Sequence, residues 1–328
     1  MTIVIKGAGI AGLVTAHELR RRGFTVEVHE RADVVGGGAS HFAGGMLAPY
    51  CEREAATEPV LQLGLQGLDW WRRTLPGEII SKGTLVLAQP RDMAELSRFA
   101  ARTRDHQWVD ADAIAALEPD LGGRFHKGLF FAGEAHLDPR RAMKRLYENL
   151  REGGVLFRFS YDETTQARTH ECIIDCTGPA AIETLPGLRG VRGEMLYLHA
   201  SDIALSRPIR LLHPRHPLYI VPRGRGLFML GATMIEAADN GPIAVRSLME
   251  LLIMACAVHP SFGEARVVET GVGVRPAFAD NMPRVIETPD GLAVAGMHRH
   301  GFLLAPALAQ QVAERLQQQR INGERKSA

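Results

Sequence analysis

The chain has 328 residues, 46% of them hydrophobic and 23% charged, and a formal net charge of +1 at pH 7. That length can bury a large core and fits about two domains, and the composition is ordinary for a globular protein. The near-neutral charge gives no electrostatic case for nucleic acid or an anionic membrane as a partner.

The first predicted element is a short apolar strand, Ile3 to Ile5, which runs into Gly7-Ala8-Gly9-Ile10-Ala11-Gly12. Leu13 to Arg22 follows helical spacing; Arg20 to Arg22 read as a solvated end that complements the helix dipole, and Gly23 suits the closing position. A second strand runs from Thr25 to Glu30. The order strand, glycine turn, helix, acidic strand end is that of an ADP-binding unit. Gly7 allows the sharp turn, Gly9 lets a pyrophosphate approach the backbone, and Gly12 allows close helix-strand packing. The helix N-terminus offers N–H groups to phosphate oxygens, and Glu30 suits a ribose hydroxyl. The motif alone leaves NAD and FAD open. The opening residues are apolar enough to mimic a signal peptide, but they lack a basic leader and are explained as strand and turn. No other stretch approaches 18 uninterrupted apolar residues, so no membrane span is expected.

Downstream comes the glycine cluster GGGASHFAGGMLAP, then an apolar-rich helix near Val60 to Arg73. In that helix Trp70 and Trp71 follow Leu61, Leu65 and Leu68 at helical spacing, and at least one of them reads as core. The strand SKGTLVLAQ, the helix RDMAELSRFAARTRD and an irregular stretch around EPDL follow. The helix DPRRAMKRLYENLREGG has Asp138 as N-cap and Pro139 in its first turn. Strands VLFRF and ECIIDC come next, and PLYIVPR and GLFMLGAT form an antiparallel pair across a Gly-Arg-Gly turn. A helix around Ala244 to His259 and the strand ARVVETGVGVRPAF lead to a last strand, Leu292 to Ala295, and a helix expected to begin at Pro306.

The four cysteines, Cys51, Cys172, Cys176 and Cys256, contain no C-x-x-C pair. Extended chain would hold the α-carbons of Cys172 and Cys176 about 13 Å apart, beyond disulfide reach. All four are expected reduced, in a cytoplasm. Cys51 has an apolar neighbourhood and is assigned no chemistry.

Strand-helix alternation interrupted by strand-rich stretches predicts a chain that passes between two domains more than once. Residues 1–75, 136–182 and 266–322 are assigned to a cofactor domain, 76–135 and 183–265 to a substrate domain, and 323–328 to a tail. The late strand-loop-helix supplies a second helix N-terminus facing a cofactor, which suits a long, two-ended FAD better than NAD.

The segments GAGIAG…VHE, FAGGMLAPYCE, GEAHLDPRR, DCTG, YIVPR, GAT, GVRP and HRHGFLLAP occur in that order and cover nearly the whole chain. Together they resemble the D-amino-acid oxidase family of flavoproteins, its glycine oxidases most of all, with FAGGMLAP and GFLLAP the most specific parts. The resemblance implies an α/β fold: a Rossmann-type FAD-binding domain with a second substrate domain built on an antiparallel sheet. It implies oxidation of a small amino acid such as glycine by hydride transfer to flavin N5, with oxygen as the second substrate and hydrogen peroxide as product. Sarcosine, proline, a D-amino acid or a residue within a partner protein stay open as substrates, and so does a homo-oligomer. A non-catalytic flavin-binding module is the reading of a different class.

Carried over onto this chain, the family's carboxylate-binding arginine falls on Arg275 in GVRP and its substrate-facing tyrosine on Tyr219 in YIVPR. Arg299 in HRHG falls on an arginine of the family's closing loop. Cofactor contacts are expected from Gly7, Gly9, Ile10, Ala11 and Gly12, from Glu30 and Arg31, and from Gly44, Gly45 and Met46. Gly178, Gly296, His300, Gly301, Phe302 and Leu303 complete that set. One departure stands out: glycine oxidases often flank the loop arginine with an aromatic residue and an asparagine, whereas this chain has His298 and His300. A lone H-x-H without acidic or cysteine partners is thin support for a metal, and none is expected.

Overall fold

The computed structural model describes residues 2–161 and 172–327; Glu171, which opens the expected strand ECIIDC, and Ala328, the end of the expected tail, lie outside the described residues. In chain order the first third comprises β1 (Thr2–Lys6), α1 (Ile10–Arg21), β2 (Thr25–His29), β3 (Met46–Leu47), α2 (Pro49–Glu52), α3 (Glu58–Thr74), β4 (Thr84–Ala88) and α4 (Met93–Arg102). Next come β5 (Gln107–Asp110), α5 (Ala111–Leu117), β6 (Lys127–Phe131), β7 (Ala135–His136), α6 (Pro139–Glu152), β8 (Leu156–Arg158) and β9 (Cys172–Asp175). The remainder is β10 (Arg189–His199), β11 (Ile209–Leu212), β12 (Leu218–Gly224), β13 (Leu227–Gly231), α7 (Val245–Val258), β14 (Arg266–Ala277), β15 (Arg284–Thr288), β16 (Gly291–Ala295) and α8 (Gly301–Ser327).

Among the described residues these strands build two large sheets. The first has the order β15-β16-β9-β1-β2-β8, parallel except where β15 pairs antiparallel with β16. Strands β1 and β2 pair in register from Thr2↔Thr25 to Lys6↔His29, the parallel geometry that a strand-helix-strand crossover produces. A Cβ at Gly12 would stand 1.9 Å from the Gly7 carbonyl oxygen, so only glycine lets α1 sit this close to its strand. The second sheet has the order β14-β10-β13-β12-β11-β4-β6-β5. It is antiparallel, as expected, except where β4 runs parallel to β11.

Several expectations need correction. The division at residue 266 separates β14 from its partners: β14 pairs with β10 from Arg189↔Ala277 to His199↔Arg266 and belongs to the larger sheet. The stretch around EPDL holds β5, α5 and β6, not irregular chain. Strands β10, β11 and β15 have no counterpart among the predicted elements. In β10 the run Arg189-Gly190-Val191-Arg192-Gly193-Glu194 has the composition of a loop, and pairing on both edges, not propensity, makes it a strand. Its buried Arg192 and Glu194 satisfy each other at 2.7 Å.

The last helix begins at Gly301, five residues before the expected start at Pro306. Proline inside a helix leaves the carbonyl four residues earlier without a donor. Here that carbonyl belongs to Phe302, and the Trp71 indole N–H donates to it at 2.6 Å. The opposing helix α3 comes close because Gly67 has no Cβ, which would stand 1.8 Å from the Leu303 oxygen. Trp70 and Trp71 are both core, where at least one was expected, and both also donate: the Trp70 indole N–H meets Glu18 at 2.7 Å. Arg22, expected in solvent with Arg20 and Arg21, is only 15% exposed and donates to the Gln310 carbonyl on α8.

Candidate active site

One continuous cleft runs from the carboxyl ends of β1, β2, β9 and β16 to the face of the larger sheet, the place where open α/β sheets bind ligands. Its first half is built by the glycine turn. Gly7, Gly9, Ile10 and Ala11 line it; Gly9 precedes α1 with no side chain to cap it, and although the Ile10 N–H donates to Ser40 Oγ at 3.2 Å, the rest of the first turn suits an anion. Glu30 and Arg31 line the same end. The Glu30 carboxylate also braces the turn, accepting from Ala8 N–H at 2.7 Å and Ala32 N–H at 2.9 Å. Gly178 after β9 and Gly296 after β16 stand on the adjacent walls. Of the expected cofactor set, Gly12 alone does not face the cleft; its part is the packing that lets α1 approach β1.

The middle of the cleft is lined by Gly44, Gly45 and Met46 and by Gly301, Phe302 and Leu303 at the start of α8. The missing Cβ atoms serve the far wall as much as a ligand: at Gly44 one would stand 2.8 Å from the Tyr219 ring, and at Gly231 one would stand 2.6 Å from its hydroxyl. Tyr219 thus fits a slot between two glycines. Arg275, on β14, lies over Gly193 of β10, where a Cβ would stand 2.0 Å from Nη2. Its Nη1 donates to the Thr233 carbonyl at 3.1 Å, and no carboxylate meets it among the described residues. Burial pulls the Arg275 pKa below its ordinary value and pushes that of Tyr219 up.

Arg299 and His300 reach the cleft too, but they share a partner that sequence reasoning missed. Glu52, at the end of α2, is 7% exposed; its Oε1 lies 3.1 Å from Arg210 Nη1, and its Oε2 lies 2.8 Å from both Arg299 Nη2 and His300 Nε2. Burial pushes the Glu52 carboxyl up, but the charges of Arg299 and Arg210 and the bond with His300 outweigh it and hold the group well below the usual carboxylate range. Glu52 closes the segment FAGGMLAPYCE, and Arg210 lies on the unpredicted β11. The available signal was a charged residue between Ile209 and Leu211, since a charge inside a short apolar strand needs a buried partner.

His298, beside Arg299, lines the cleft with a backbone φ of +47°. Burial, then His300, Arg299 and Arg275, drives its pKa down to about 3. Its ring meets that of His300 edge-on, with centroids 5.8 Å apart.

Comparison with known proteins decides the cofactor. The family model described as FAD dependent oxidoreductase matches residues 2–315. The chain belongs to the FAD dependent oxidoreductase family. A Rhizobium etli protein bearing the name thiamine biosynthesis oxidoreductase ThiO is 56% identical over all of both chains. The glycine oxidase of Bacillus licheniformis is 26% identical, over 95% of this chain and 92% of its own. The crystal structure of glycine oxidase from Bacillus cereus shares the fold, with a TM-score of 0.82 and 22% identity over 97% of this chain and 95% of that one. As an FAD dependent oxidoreductase the protein is an enzyme with FAD as its cofactor, and no described helix is long and apolar enough to cross a membrane.

Proposed function

We propose that this oxidoreductase oxidises a small amino acid, with glycine the first candidate, to an imine that water converts to an oxo acid and ammonia. The reading rests on one observation: Arg275 presents a guanidinium on the cleft wall that no protein carboxylate meets among the described residues, while Glu52 pairs with its neighbours Arg210 and Arg299. A guanidinium fork suits the two oxygens of a substrate carboxylate. The Tyr219 hydroxyl, set in its glycine slot, adds a donor beside it.

The residues present fit FAD. The uncapped start of α1 and the Glu30 carboxylate suit the pyrophosphate and ribose, and the start of α8, with Gly44 to Met46, suits the ring system. When bound, FAD supplies the acceptor for a hydride from the substrate α-carbon and passes the electrons to dioxygen, which gives hydrogen peroxide. The protein's own contribution is alignment. Arg275 and Tyr219 fix the acid group, the α-carbon follows within one bond, and no side-chain base at carbon is needed. The cationic wall also disfavours an ammonium, so the amine is held neutral with its lone pair available.

The test is anaerobic mixing of the holoenzyme with glycine, sarcosine, proline and D-alanine, with flavin absorbance as readout. Bleaching by glycine ahead of the others supports the reading. A flavin that none of the panel bleaches refutes it.

A further inference from the structure

The geometry points to His298 as the residue that holds the substrate's amino group. This deepens the amino acid oxidase reading and rests on it. Of the ionisable side chains on the substrate half of the cleft, Arg210, Arg299 and His300 are engaged by Glu52, and Glu52 has both oxygens occupied. Arg275 and Tyr219 suit the acid group. His298 is the side chain left to meet the nitrogen.

Its position is held firmly. The His298 backbone N–H donates at 2.9 Å to the carbonyl of Pro276, the residue next to Arg275, so the imidazole is tied to the strand that carries the carboxylate fork. Its φ of +47° lies in the left-handed region, where a non-glycine residue persists only if its surroundings demand it. Nδ1 is sealed in the protein without a partner, which leaves Nε2 for a ligand.

The groups that face the ring are Arg275 on β14, Arg299 and His300 on its own loop, and Glu52 on α2. Burial, then His300 and the two arginines, keep the imidazole uncharged at neutral pH, against the weaker pull of Glu52. With its proton on Nδ1, the uncharged ring accepts an N–H bond at Nε2 without repelling the amine and without taking its proton. One N–H fixed at Nε2, together with the carboxylate fixed at Arg275, leaves the amine lone pair a single orientation as the α-hydrogen departs.

The test compares the wild-type holoenzyme with His298→Phe and His298→Asn. Asparagine tolerates the left-handed backbone and keeps a carbonyl acceptor. Three quantities are measured: the limiting rate of anaerobic flavin reduction by glycine, its pH profile, and the Kd of acetate, which has the acid group but no nitrogen. The phenylalanine protein should lose about a hundredfold in limiting rate while acetate affinity stays within about twofold, and asparagine should recover a large part of the loss. The substrate-amine limb of the pH profile should stay where it is in all three. Should phenylalanine cost the protein its FAD, His298→Gly, which relieves the backbone, takes its place in the comparison.

A rate within about threefold of wild type in the phenylalanine protein overturns the assignment, and so does a loss of acetate affinity as large as the loss of rate. These results leave the amino acid oxidase reading standing. A wild-type flavin that no amine in the panel reduces overturns that reading and the assignment together.

Discussion

A Cβ at position 193 would stand 2.0 Å from the Arg275 guanidinium, at the far end of a flexible side chain and not against backbone. Gly193→Ala should therefore leave the melting temperature nearly unchanged while it pushes the guanidinium off the sheet. The expected outcome is a rise of about tenfold in KM for the amino acid and a parallel rise in the Kd of acetate, which titration calorimetry measures. Glu134 makes a different kind of statement. Its carboxyl is fully buried, with Oε1 accepting from Cys51 N–H at 2.7 Å and Oε2 without a partner, and burial raises its pKa from 4.5 to about 7. Between those two values the folded state holds a proton that the unfolded chain has lost. Glu134 therefore lowers stability as pH rises through that window, by roughly 3 kcal/mol in all. Urea unfolding at pH 5 and pH 8 should show this loss, and Glu134→Gln should flatten it.

At the scale of elements, the start of α8 matters most, because it lines the middle of the cleft. Pro306 takes away an internal donor, Trp71 restores one from α3, and Gly67 lets the two helices meet. Trp71→Phe keeps the packing but leaves the Phe302 carbonyl unpaired in a buried place, which should cost about 2 kcal/mol in chemical unfolding. FAD should bind more weakly in that variant than in one altered on the exposed face of α3. The sequence showed that a helix follows GFLLAP but placed its start at Pro306, by the general preference of proline for a first turn. The actual start at Gly301 depends on an indole 231 positions away in the chain, a partner that no local pattern reveals. Strand β11 was missed for a related reason: four residues, one of them an arginine, become a strand only between β12 and β4.

Across the whole molecule, side chains tie the larger sheet to the segments that line the cleft and to α6. Arg223 on β12 is 2% exposed; its Nη2 donates to the Gly44 carbonyl at 2.9 Å and its Nη1 to the Leu137 carbonyl at 3.3 Å. Arg140 at the start of α6 forms a two-pronged pair with Glu269 on β14. The second pair is half-exposed and worth little by itself. Arg223→Ala, by contrast, strips buried carbonyls of their donor and should cost about 3 kcal/mol. Thermal unfolding and FAD release should both worsen, because Gly44 lines the cleft on one side and seats Tyr219 on the other.

The nucleotide turn, the acidic end at Glu30, the helix cap at Asp138 and the antiparallel pair around Gly-Arg-Gly were all legible in the sequence, since each is a local pattern whose physics acts over a few residues. The chain also announced Arg275, Tyr219 and Arg299 through short segments around them, and all three line one cleft. What the sequence could not contain was the charge balance of that cleft. Glu52, Arg210 and His300 are separated by as many as 248 positions, and only the meeting of α2, β11 and the loop before α8 decides which arginines of the cleft meet a carboxylate and which does not. Electrostatics acts through space, so the chemistry of the site belongs to the folded structure, while the glycine turn after β1 was already written in the order of the residues.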